Sequence, residues 1–177
     1  MALKNPADGL IGYPDEREIR WLLAQGVSDT AMLKPTPIRA GNVRFLDGAT
    51  FDFDAGAARA LIFTEERDLV AWSPRTGQLA SWRGVAFALG EEAVFNPASW
   101  FVGFGLHAYR LPLDWLCAGR EGIVIVRPRL TYAMLRHVPR LIVEDVELGR
   151  QLRRWLRPPK STAEILVKVS AAARAAA

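Results

Sequence analysis

One cysteine, Cys117, and two histidines, His107 and His137, are all that this 177-residue chain offers of those residue types. A lone thiol cannot close an internal disulfide, so a disulfide-stapled scaffold is excluded. A structural zinc site usually takes four Cys/His ligands, and these residues match no zinc spacing. No run approaches the roughly 18 apolar residues of a membrane span. The opening stretch, MALKNPADGLIGYPDERE, lacks an apolar run of signal-peptide length. The expected compartment is the cytoplasm, with no membrane partner. There is no Walker A loop and no GxSxG elbow; Gly103-Phe104-Gly105 lacks the third glycine and the helix of a dinucleotide fingerprint.

What is present is an ordinary globular composition, 50% hydrophobic and 24% charged. A chain this long buries roughly 70% of its unfolded surface. The net charge of +4 is unevenly spread. Residues 1–119 carry 11 Lys+Arg and 14 Asp+Glu, a net of −3; residues 120–177 carry 12 and 5, a net of +7. A basic C-terminal third suits an acidic partner: nucleic acid, anionic lipid or an acidic protein face.

Local signals place the elements. Pro14-Asp15-Glu16 opens a helix carrying Ile19, Leu22 and Leu23, and Gly26 caps it. Ser28-Asp29 starts a second short helix, stopped by Pro35 and Pro37. The pair has a helix-turn-helix outline, but Lys34 is the only base near the second helix, so it reads as a cap. Alternating runs at 42–46, 50–53, 58–64, 69–72 and 78–82, with Asp47-Gly48 and Gly77 at turns, predict an antiparallel meander of about five strands. Residues 83–106 are ambiguous: 87–92 reads as a helix end or a loop, and Trp100, Phe101 and Phe104 as a satellite core. Beyond, 113–117 is a short helix and Ile123-Val124-Ile125-Val126 a strand buried on both faces. Residues 130–138 form a helix, 141–143 a strand, 146–156 a helix and 165–169 a last strand. The expected fold is α+β: an N-terminal helical cap, an antiparallel meander, then a small β-α-β-α-β unit with crossovers on one face. One domain spans 1–169, with a cap over 1–40, mostly strand over 42–110 and a β/α part over 111–169; 170–177 is an Ala-rich tail.

The chemistry-bearing stretch is RLIVEDVELGRQLRRWLRPP, residues 140–159. Leu148, Leu152, Trp155 and Leu156 fall on one helical face, so Trp155 is expected in the core. Arg150, Arg153, Arg154 and Arg157 lie off that stripe; Arg136, Arg140 and Lys160 extend the basic set. Glu144, Asp145 and Glu147 sit at or before the first turn, where acids stabilise the positive helix end by a few tenths to ~1 kcal/mol each. Helix electrostatics alone explains the acid-then-base order. Elsewhere, Asp52 and Asp54 of FDFD read as a solvated strand face, and Glu65-Glu66 and Glu91-Glu92 as solvated loop charges. Cys117, between Leu116 and Ala118, reads as a buried inert thiol rather than a nucleophile paired with His137. His107 reads as a strand residue.

Two resemblances bear on function. The stretch ending at Gly149 loosely resembles the second acidic motif of toprim domains, Asp-x-Asp-x-x-Gly, whose carboxylates hold magnesium for phosphoryl or nucleotidyl transfer. Alignment on Gly149 puts Glu144 at the first acidic position but Val146 at the second, with Asp145 and Glu147 each one place out. Glu121-Gly122 precedes a strand, whereas the family's glutamate follows one. Separately, DLVAWSPRTGQLASW, LPLDWLCAGREGIVIV and RLIVEDVELGRQL resemble uncharacterised bacterial reading frames associated with phages and mobile elements. That resemblance implies DNA-related business and no activity.

Together these lead to a non-catalytic accessory or interaction module without cofactor or metal. Arg136, Arg140, Arg150, Arg153, Arg154, Arg157 and Lys160 would engage nucleic acid or an acidic protein. An alternative is an atypical metal-dependent nucleotidyl or phosphodiester enzyme using Glu144, Asp145 and Glu147, with Glu121 or Asp114. A third is a homo-oligomer joined through aromatic residues of the 95–115 region.

Overall fold

The computed structural model describes residues 10–47, 49–101 and 105–158. The class is α+β, as composition and periodicity imply. Strand β1 (Ile11–Gly12) leads into helices α1 (Glu16–Ala24) and α2 (Asp29–Leu33). Asp15 caps α1 in a reciprocal box: its carboxylate accepts the Glu18 N–H, and the Glu18 carboxylate accepts the Asp15 N–H, both at 2.8 Å. Ser28 caps α2 by accepting the Ala31 N–H at 3.1 Å. Strands β2 (Arg39–Leu46), β3 (Thr50–Phe53), β4 (Arg59–Thr64), β5 (Leu69–Trp72) and β6 (Leu79–Ser81) follow where alternation placed them.

These five strands close on themselves, which the meander did not foresee. Strand β2 is eight residues long, so one part pairs with β3 and another with β4. The ring is completed by β4–β5, β5–β6 and a parallel β3–β6 contact at Thr50 and Ser81. The result is a closed five-stranded barrel, with β1 paired alongside β2. Val43, Phe51, Ala60, Ile62, Ala71 and Ala80 form one buried cluster drawing on all five strands, and so fill the interior. Three of the six are alanine because a barrel this narrow has little room for side chains. The alternate residues Leu61, Phe63, Val70 and Trp72 face outward into a second cluster, with Leu22 of α1 and Ala31 of α2.

A second sheet packs on that face. It contains β7 (Ala88–Leu89), β8 (Leu106–Tyr109), β9 (Ile123–Ile125) and β10 (Leu141–Val143), ordered β10-β8-β9-β7. Residues 87–92, ambiguous in sequence, supply β7 and the turn into α3 (Glu92–Phe95). The three parallel strands are β8, β9 and β10; the parallel unit therefore begins at Leu106, earlier than expected. The anticipated strand at 165–169 and the tail lie outside the described residues.

Helix α4 (Pro112–Cys117) joins β8 to β9, and α5 (Thr131–Leu135) joins β9 to β10. The chain steps outward from β8 to β9, then back past β8 to β10. Crossovers of one hand must then place α4 and α5 on opposite faces. They do: Trp115 and Leu116 of α4 pack in the barrel-side cluster, whereas Leu135 of α5 packs with Leu148 and Leu152 of α6 (Val146–Trp155) on the far side. The two helices expected on one face, α5 and α6, do share it, while α4, which precedes that unit, lies on the other. Strand β9 is buried on both faces as predicted, Val124 toward the barrel and Ile123 toward α5 and α6.

Asp68 links the two layers. Only 6% exposed, its carboxylate accepts the N–H groups of Leu69, Arg83, Val85 and Ala86 at 2.8–3.1 Å. It thereby ties the β4–β5 turn to the segment entering the second sheet. No helix among the described residues is long and apolar enough to cross a membrane.

Candidate nucleic-acid interface and a carboxylate-lined cleft

Helix α6 forms because Asp145 caps it, accepting the Leu148 N–H at 2.7 Å, and because Leu148 and Leu152 bury one face. Burying a leucine side chain stabilises by about 1.5–3 kcal/mol. At about 100° per residue, Arg150, Arg153 and Arg154 fall within an arc of about 100° opposite that stripe, and Arg157 follows just past the C-cap Leu156. All four are exposed. Arg150 and Arg154 approach Glu147 at 3.8 and 3.9 Å, loose pairs in solvent. Arg153 and Arg157 form no ion pair with a described residue. Arg136 and Arg140 are also exposed but belong to the α5–β10 connection, where the Arg140 carbonyl accepts the Leu106 N–H at 2.9 Å. Lys160 lies outside the described residues.

Trp155 is a partial correction. It packs against the α5–α6 core but stays half-buried. Its other side lines a shallow cleft of about 290 Å³ with Pro128, Arg129, Tyr132, Ala133 and Arg157.

The acidic cluster lies beyond the ends of β8 and β10, whose following helices leave to opposite faces. Such switch points commonly hold ligands in parallel sheets. Here Arg110 occupies it. Its backbone N–H donates to Glu144 at 3.1 Å, and its guanidinium grips both Asp145 oxygens at 2.9–3.3 Å. The Leu148 N–H, then Arg110, hold the Asp145 carboxyl below its usual range. Glu147 points to the arginines instead. Burial, then Glu121, Glu144 and Asp114, push the Tyr109 hydroxyl up. Among the described residues no three Asp, Glu, His or Cys side chains gather closely enough to hold a metal ion.

A larger cleft, about 1100 Å³, opens where the barrel meets the second sheet. Sequence reasoning missed it because its walls come from five separate segments. Phe63, Glu65, Glu91, His107, Trp115 and Arg120 line it. Glu65 is a correction: it is no solvated loop charge. Its two oxygens accept the Gly90 and Glu91 N–H groups at 3.0 and 3.2 Å. Burial outweighs those bonds and raises its carboxyl to about 7. Glu91 is likewise engaged, accepting the Phe87 N–H at 3.0 Å. Burial lowers the Arg120 guanidinium to about 10 while Glu65 opposes the shift. Arg120 lies 5.6 Å from the ring centres of both Phe63 and Trp115 and donates to the Thr36 carbonyl at 2.9 Å. Gly90 and Gly122 line the same cleft with positive φ, and a Cβ on Gly122 would strike the His107 carbonyl.

The remaining candidates separate. Cys117 is exposed, not buried, and its thiol donates to the Gln25 carbonyl at 3.3 Å. His137 lies against Phe95 and Trp100, so the two make no nucleophile pair. His107 is a strand residue, as expected. In FDFD, Phe51 is buried and Asp52 exposed, while Asp54 reaches Arg44 at 3.7 Å. Phe95 and Phe101 are 53% and 75% exposed, and Trp100 is partly buried against the core; Phe104 is outside the described residues.

No family model matches the chain, and neither a curated protein nor a solved structure matches it.

Proposed function

We propose that this protein is a non-catalytic accessory module that binds nucleic acid through the arginine face of α6. The observation that carries the reading is the exposed arc holding Arg150, Arg153 and Arg154, opposite a helix face anchored in the core, with exposed Arg157 just past the helix end. A rigid helix presenting three guanidinium groups on one side, with a fourth just past its end, meets successive phosphates without reading sequence. Arg136, Arg140 and Lys160 would extend the contact. The resemblance to mobile-element reading frames agrees with a DNA-related partner.

Titration of a labelled mixed-sequence duplex and single strand across a salt series tests this. Affinity should fall steeply with salt, by about 0.9 in the log–log slope per duplex phosphate contacted. Changing Arg150, Arg153, Arg154 and Arg157 together to Gln should flatten the slope and abolish tight binding. No binding by the unaltered protein at low salt overturns the reading and moves the search to an acidic protein.

A further inference from the structure

We propose that the cleft between α5 and the end of α6 receives an unstacked base, making the ligand a single-stranded polynucleotide rather than a duplex. This deepens, and rests on, the phosphate-binding reading of α6. Three observations support it.

The first is the pair of aromatic walls. Tyr132 and Trp155 are both half-buried and line the same opening. Trp155 packs against the α5–α6 core, which fixes it, and still lines the opening. An aromatic ring fixed in this way is a stacking platform that accepts any base, because every base has a π-face. Neither the Trp155 indole N–H nor the Tyr132 hydroxyl bonds a described residue, so both are available to a base edge.

The second is size. About 290 Å³ is at the small end of ligand sites, room for one ring system. Pro128 and Ala133 also line it.

The third is charge. Arg129 and Arg157, both exposed, flank the aromatic walls, and among the described residues no carboxylate lines the cleft. Arg157 also follows directly on the arginine arc of α6. A strand tracking that arc would therefore arrive at the cleft with phosphates on the guanidinium groups and a base turned inward. In a duplex the bases are paired and stacked inside, and the cleft would gain nothing.

The test compares four equal-length probes by anisotropy at one low salt concentration: oligo-dT, oligo-U, an abasic strand and a duplex. The abasic strand keeps the phosphates and removes the bases. The two base-bearing strands should bind roughly tenfold or more tighter than the abasic strand. Tyr132→Ala should erase that advantage while leaving abasic binding and its salt dependence unchanged; Trp155→Phe should weaken it. A thermal melt checks both variants. Should either fail to fold, the abasic comparison on the unaltered protein still decides. Equal binding of base-bearing and abasic strands, with the α6 glutamine variant inactive, overturns the base cleft and leaves the phosphate reading standing. Absence of binding to every probe overturns both.

Discussion

Arg110 grips Asp145 across the ends of two neighbouring parallel strands, with one guanidinium nitrogen 2.9 and 3.0 Å from the two carboxylate oxygens. The same Asp145 caps α6. One carboxylate thus sets where the basic helix starts and which way it leaves the sheet. Replacing Asp145 with Ala should lower the melting temperature, and Asp145→Asn less so, because the amide oxygen still caps. The Asp145 carboxyl sits below its ordinary range when folded. Its stabilisation is therefore complete above the unfolded value near 3.8 and fades as pH falls through the lower folded one. An acid titration followed by melting temperature should show that fade in the unaltered protein and lose it in Asp145→Ala.

Glu65 behaves in the opposite sense. Its carboxyl is raised from 4.5 to about 7 on folding, so the folded state binds the proton more tightly. Its contribution should erode as pH rises from about 4.5 to about 7 and stay level above. Each unit is worth about 1.4 kcal/mol. Denaturant unfolding at several pH values should show this slope, and Glu65→Gln should flatten it. A slope unchanged in that variant assigns the pH dependence elsewhere.

Asp68 is the strongest single tie between the layers. Asp68→Ala would leave four backbone N–H groups without their acceptor, at a cost of about 3–5 kcal/mol. Asp68→Asn keeps one oxygen and should lose less. Chemical denaturation of the two variants checks the order, and equal stabilities would refute it.

Cys117 is accessible yet a poor thiolate. Partial burial, then Asp114, pushes its thiol up. A maleimide should label the native protein without denaturant, more slowly than a free cysteine at the same pH. The rate should climb as pH rises and increase in Asp114→Asn. Labelling only after unfolding would contradict the exposed placement.

Much of the local structure was legible before any coordinates. The Pro14-Asp15-Glu16 opening of α1, Ser28 ahead of α2, the alternation in β2 to β6 and the Leu148–Leu152 stripe all act within a few residues of chain. The backbone period and the capping hydrogen bonds that specify them are local. The basic face of α6 belongs here too, because helical geometry alone sets the arginines opposite the leucines.

Other features depend on what distant segments bring. Alternation says which residues share a face, not which strands become neighbours. The closure of β2 onto β4 and the parallel contact of Thr50 with Ser81 were therefore invisible. Glu65 reads as a loop acid until the amides of Gly90 and Glu91, about 25 residues on, meet its oxygens. Trp155 reads as core until α5 falls short of covering it. The sequence by itself determined the elements, their amphipathic faces and the basic helix, because those follow from spacing along one stretch of backbone. Only the tertiary structure decided the barrel, the buried carboxylate and the open aromatic cleft, because each depends on long-range packing that no local period encodes.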